Sequence, residues 1–272
     1  DPEMSRGLGD VYKRQVFSCM LAFSSLLGNV EGQNIYRIWY DKPASYWEEA
    51  LPVGNGRIAA MVFGDPQLEQ IQLNEETVSA GSPYQNYNEE AKTALPEMRR
   101  LIFEGKYEEA QNMAATKILS QVGNEMPYQT VGRLNIRYQD HKKVNNYYRD
   151  LDISNAVAVA RYEVDGVEFT EETFASFTDQ LVIRHIKASK PGTINCELFF
   201  NTPMRDPKRS IYGKKGLRLE GITHGSRYFP GKVHYCADLD VKHKGGKVIT
   251  ANDTLLSVQG ASELTLLSLI HI

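Results

Sequence analysis

From Arg133 onward the chain is a succession of short runs in which apolar and polar residues alternate: RLNIRY, AVAVARYEV, GVEFTEETFAS, QLVIRHIKA, INCELFF, GLRLEGITHG, HYCADLDVKH, KVITAND and TLLSVQG. A period of two sends successive side chains to opposite faces of a strand, so that one face can be buried and the other solvated. Asp165-Gly166, set between two such runs, is the strongest short hairpin signal in the chain. Many short strands at regular turn spacing point to an antiparallel sandwich. The 15 Tyr, 10 Phe and two Trp fit that class, because aromatic side chains pack well on pleated surfaces.

The upstream part adds strands and one change of period. Tyr36 to Tyr40 reads as a first strand, ended by Lys42-Pro43. Arg57 to Phe63 and Glu69 to Leu73 form a hairpin around Gly64-Asp65-Pro66. From Asn88 the apolar residues move to helical spacing, with Leu95, Met98, Leu101 and Ile102 expected on one face. Gly105 separates this helix from a second, from Tyr107 to about Leu119. The expected fold is mainly β: a large antiparallel β-sandwich with a two-helix insertion.

The ends of the chain read differently. DVYKRQ (Asp10 to Gln15) can be encoded by DNA whose reverse complement translates as LSLIHI, the sequence of Leu267 to Ile272. That DNA resembles a transposase mosaic-end adapter. Residues 1–15 and 267–272 are therefore expected to be adapter translation and stand outside the fold argument. Val16 to Leu27 is an apolar run of leader length, followed by Val30-Glu31-Gly32 before Gln33, a cleavage-site pattern of small residues. Residues 16–32 read as a partial signal peptide, which places the protein in a periplasm or outside the cell, with no stable membrane insertion after cleavage. Cys196 and Cys236 then remain in the mature chain, and sequence alone leaves their pairing open. Residues 33–266 make up the domain.

A formal net charge of -3 gives no general attraction to nucleic acid. GNGRIA (Gly54 to Ala59) satisfies a dinucleotide-loop spacing, but Pro52 precedes it and Gly64-Asp65-Pro66 stops the apolar run before a helix can form. The glycines instead suit a tight turn into a strand. The histidines and cysteines lack metal-ligand spacing, and no nucleophile elbow or Walker loop is present, so no metal and no cofactor is expected. Glu171 and Glu172 sit in a strand, and adjacency does not make an acid–base pair. Trp47, Asn55, Asn74 and Glu75 flank loops and are the candidates for contact with a ligand or a neighbouring domain. No residue is assigned a catalytic role.

IWYDKPASYWEEALPVGNGRIAAMVFGDPQLEQIQLNEETVSAGSP (Ile38 to Pro83) resembles the opening of glycoside hydrolase family 95, the α-L-fucosidases. YQTVGRLNIRY resembles that family's "YQPLGDL" segment, and the likeness runs through YRDLDISNAVAVARYEVDGVEFTEETFASFTDQLVIRHI to LLSVQGASELTLL, about Ile35 to Leu266. VSAGSP departs from the family's "LWSGGP" pattern and lacks its Trp. The resemblance implies an N-terminal β-sandwich, or supersandwich, that precedes a catalytic (α/α)6 barrel. It also implies an inverting mechanism with a Glu acid and an Asn base, all carried on the barrel, so no catalytic residue transfers to this chain. The implied partners are a fucosylated glycan, bound through the absent catalytic domain, and that barrel itself. A stand-alone carbohydrate-binding module and the front domain of an α-galactosidase or glycoside phosphorylase are the alternatives.

Overall fold

A computed structural model describes residues 36–81, 85–120, 126–226 and 230–272. The N-terminal adapter and leader readings, residues 1–32, lie outside the described residues. In chain order come β1 (Arg37–Tyr40), β2 (Leu51–Gly54), β3 (Ile58–Val62) and β4 (Leu68–Glu75), then helices α1 (Ala91–Phe103) and α2 (Tyr107–Met113). β5 (Gly132–Tyr138), β6 (Val144–Asp152), β7 (Val157–Val164), β8 (Val167–Ser176), β9 (Leu181–Ala188) and β10 (Ile194–Asn201) follow. The last strands are β11 (Arg205–Tyr212), β12 (Gly216–Ile222), β13 (His234–Lys244), β14 (Lys247–Asn252), β15 (Leu255–Ala261) and β16 (Glu263–His271).

These strands form two sheets. A nine-stranded sheet runs β1-β6-β7-β8-β9-β16-β13-β12-β11, and a seven-stranded sheet runs β14-β15-β10-β5-β4-β3-β2. Their inner faces share one apolar core, so the expected sandwich with its helical insertion is the observed fold. The alternation does the sorting. On β4, Glu69, Ile71, Leu73 and Glu75 point inward, while Gln70, Gln72 and Asn74 lie on the outer face. Ile58, Leu134, Ile136 and Leu198 from one sheet join Ile186, Leu219, Leu239 and Leu264 from the other in that core. Each such side chain stabilises the fold by roughly 1.5–3 kcal/mol when fully buried.

Local differences from the sequence reading have physical reasons. Leu51–Gly54 is a strand, completing a hairpin with β3 in the register Leu51↔Val62 and Gly54↔Ala59. In α1 the buried positions are Ala94 and Leu101, and Ile102 is exposed rather than on the packed face. A helix turns 100° per residue, so Leu101 and Ile102 cannot both face a narrow contact. α2 ends sooner than expected and continues as one π turn over Ala114–Ile118. Cys196 and Cys236 are free thiols, carried on β10 and β13 of different sheets.

Leu267–His271 extend β16 between β9 and β13. LSLIHI alternates, so it can occupy a strand position whatever its origin. One inward position fits poorly. Ser268 is buried in phase with Leu264, Leu266 and Ile270, and its Oγ has no hydrogen-bond partner among the described residues. A buried hydroxyl left that way costs about 1–3 kcal/mol.

Candidate functional site

Asn55 occupies the tip of the β2–β3 hairpin. Its Oδ1 accepts hydrogen bonds from the Arg57 and Ile58 amides at 3.0 and 2.9 Å, an Asx turn that shapes the loop. Gly56 follows at φ +92°, a conformation that suits glycine. The Asn55 amide donates across to the Ser176 carbonyl at 2.8 Å, tying the hairpin tip to the end of β8 in the other sheet. GNGR is thus a structural clamp. Glu75 lies at the same end, opposite Ile58, with Asn74 opposite Ala59. Glu75 Oε1 pairs with Arg57 Nε at 3.3 Å, while Oε2 accepts from the Thr77 amide and hydroxyl at 2.7 and 2.6 Å. Glu75 is buried and its acceptors are engaged. The Asn74 Oδ1 is buried with no hydrogen-bond partner among the described residues.

Trp47 is elsewhere. It lies in a short 3-10 turn, Trp47–Glu49, just before β2, at the opposite end of the hairpin from Asn55. The structure therefore brings Asn55, Asn74 and Glu75 to one end of the seven-stranded sheet and separates Trp47 from them. With Tyr46, Phe63, Gln70 and Arg133, Trp47 lines a cavity of about 500 Å³. Arg133 also lines a second cavity, of about 280 Å³, with Gln72 and Asn201. Asn201 in turn borders a third, of about 340 Å³, with Arg137, Phe199 and Arg209.

The most heavily engaged polar cluster is buried in the core. Glu69 on β4 accepts hydrogen bonds from the Phe63 and Gly64 amides through Oε1, both at 3.1 Å. Its Oε2 lies 3.0 Å from the Arg184 guanidinium, which also binds Glu171. Arg184 donates to the Thr173 hydroxyl at 2.7 Å, and Glu171 accepts from the Tyr138 and Tyr162 hydroxyls at 2.6 and 2.7 Å. Burial, then the neighbouring Glu171 charge, holds both tyrosines well above their ordinary pKa, so they remain donors at neutral pH. Gly64 turns at φ +74°, where a Cβ would sit 2.7 Å from the Tyr147 hydroxyl and 2.9 Å from Arg149 Cδ. His141 stacks on Tyr138 at 4.1 Å with Nδ1 held by the Pro66 carbonyl at 2.9 Å, a core histidine whose pKa is lowered by burial. Glu69 and Glu171 share Arg184, but all three are at most 1% exposed, and no glycosidic bond could reach between them.

Burial pushes the Glu69 carboxyl up to about 7 against the pull of Arg184; the second carboxylate, Glu171, adds to the rise. The sign follows from the cluster's charge. Two carboxylates around one guanidinium leave one excess negative charge in the core, and a proton removes it. The folded chain then keeps a proton that the unfolded chain releases between its ordinary value and about 7. The Glu69 contribution to stability is full below about pH 4.5 and lost as pH rises through 7, by up to about 3 kcal/mol. Denaturant midpoints of the wild type and Glu69→Gln, compared from acid to neutral pH, should diverge by that amount. Parallel profiles would contradict the assignment.

The sequence did carry a signal for this cluster. Glu69, Glu171 and Arg184 occupy the inward phase of EQIQL, FTEETF and LVIRHI, where a charge must find a partner. Arg133 and Arg137 gave no such signal, because an outward-phase charge on a strand is ordinary. Among the described residues no group of His, Cys, Asp and Glu could hold a metal ion, and no helix is long and apolar enough to cross a membrane.

"Alpha-L-fucosidase 2" of Arabidopsis thaliana is 37% identical over 264 residues, covering 88% of this chain and 31% of that protein. "Probable alpha-fucosidase A" of Aspergillus niger is 26% identical over 162 residues, covering 56% of this chain and 20% of its own length. The Aspergillus oryzae protein of the same name is 24% identical over 211 residues, covering 73% and 28%. The chain spans less than a third of the length of these relatives. "Glycosyl hydrolase family 65, N-terminal domain" matches residues 38–271, a span that includes strands of both sheets from end to end. The chain belongs to that family of glycoside hydrolase N-terminal domains.

Proposed function

We propose that the chain is the N-terminal sandwich of an exported family 95 α-L-fucosidase, whose parent protein releases terminal α-1,2-linked fucose by inversion. The observation that carries this reading is the 37% identity to the Arabidopsis fucosidase across 88% of the chain. Its sandwich supplies a rigid platform rather than an acid–base pair: Glu75 is tied to Arg57 and Thr77, and Glu69 and Glu171 are sealed around Arg184. Catalysis then resides in a following domain, and Asn55, Asn74 and Glu75 mark the end of the sheet that meets it. A leader within residues 16–32 would deliver the protein to a periplasm or the exterior.

Sequencing the parent gene across the Leu266 codon tests this reading. The expected result is an open frame in which LSLIHI is replaced, with an apolar residue at the Ser268 position, leading into a helical barrel. A natural stop codon at that point would overturn it.

A further inference from the structure

We propose that the outer face of the seven-stranded sheet binds an acidic oligosaccharide, a linear chain of hexuronate units. The inference rests on the glycosidase reading for its ligand class and on the geometry of that face for its site. Three cavities, of about 500, 280 and 340 Å³, meet there at shared walls: Arg133 separates the first from the second, and Asn201 the second from the third. A run of this kind suits an extended ligand rather than a compact one.

Strand register sets what the ligand would meet. Gln72, Arg133 and Asn201 lie side by side across β4, β5 and β10; in the next row Gln70 and Phe199 flank Asn135, which is buried with its amide donating to the Arg133 and Phe199 carbonyls. Planar amides and guanidinium groups in rows can hydrogen-bond adjacent sugar oxygens in pairs. At the open end, Tyr46 and Trp47 are 57% and 48% exposed, offering ring surface for a pyranose to lie against.

Charge decides which sugar. The chain as a whole has 31 Lys and Arg against 34 Asp and Glu. The three cavities reverse this balance, with Lys42, Arg133, Arg137 and, from the edge strand β11 of the other sheet, Arg209 against Asp65. Asp65 Oδ1 already accepts from the Gln67 and Leu68 amides at 2.8 and 3.1 Å. Glu197 offsets Arg137 at 3.2 Å, whereas Arg133 bonds the neutral Gln70 and lies 5.5 Å over the Phe63 ring. This local excess of cations in a chain of net charge -3 favours a ligand that carries carboxylates.

The test is calorimetric titration of the 272-residue chain with hexagalacturonate and, in parallel, with neutral cellohexaose. Hexagalacturonate is expected to bind at least about tenfold more tightly. Its affinity should fall about tenfold with Arg133→Ala or Arg137→Ala, and again when salt rises from about 0.05 to 0.5 M. Thermal midpoints identify any variant that has lost its fold, in which case Trp47→Ala supplies the reading, with the same direction expected. Absence of hexagalacturonate binding, equal affinity for cellohexaose, or binding indifferent to salt and to these substitutions would overturn the proposal. Fucose release by the parent protein reports separately: binding without release contradicts only the fucosidase reading, and release without binding contradicts only this one.

Discussion

Arg184→Met should destabilise the domain by about 3–5 kcal/mol at pH 7, a large part of the roughly 5–15 kcal/mol that holds a domain folded. The substitution keeps side-chain volume but leaves Glu69 and Glu171 buried around an apolar group. It also deprives the Thr173 hydroxyl of its donor. Tyr138 and Tyr162 still donate to Glu171, and the Phe63 and Gly64 amides still donate to Glu69, so the acids are partly satisfied. They lack a counter-charge. Protonation is the cheapest relief, so the variant should recover part of its stability as pH falls, more steeply than the wild type does. Arg184→Lys keeps the charge but not the fork that reaches Thr173 and both carboxylates, and should lose less. Urea midpoints at two pH values measure all of this. A loss under about 1 kcal/mol for Arg184→Met would mean the cluster is not organised as described.

The cluster also shows why part of this fold was legible in the sequence. β4, β8 and β9 alternate, and Glu69, Glu171 and Arg184 fall in their inward phase, although the sequence reading singled out neither Glu69 nor Arg184 and left Glu171 simply in a strand. Their pairing was not legible, because β4 and β9 lie in different sheets and local periodicity says nothing about which strands face each other. β6 and β11 were missed for opposite reasons. β6 buries Arg149, Asp150, Leu151 and Asp152 in succession, so it has no period of two at that end. Arg149 is held there by the Lys42 and Glu49 carbonyls, both at 2.8 Å, partners that only the folded chain supplies. β11 is an edge strand with Pro207 and mostly exposed residues, and an edge needs no buried alternation.

The candidate site divided along similar lines. Asn55, Asn74 and Glu75, read from the sequence only as flanking loops, sit together at the turn end of β2, β3 and β4. They differ in accessibility: Glu75 faces inward with the Ile71 and Leu73 phase, and Asn55 spends its side chain on the turn and on Ser176. Trp47 is near Asn55 in sequence but leads into the other end of an antiparallel hairpin, where Arg133 joins it from β5. Antiparallel pairing reverses the relation between sequence distance and spatial distance, and no local motif records that reversal.

Under the proposed function this domain supports fucose release by its parent protein without performing the chemistry. The structural basis is that Glu69, Glu75 and Glu171 are buried and committed to Arg184, Arg57 and Thr77, and to tyrosine hydroxyls. An inverting glycosidase needs two groups on opposite sides of one accessible bond, with room for a water. Activity should therefore be all or none between the chain and its parent, not a graded loss. The direct measurement is fucose release from 2′-fucosyllactose, run side by side with the purified 272-residue chain and with the parent protein at matched concentration. Release by the parent and none above the enzyme-free blank by the chain is the expected result; release by the chain alone, or none by the parent, would contradict the proposed function.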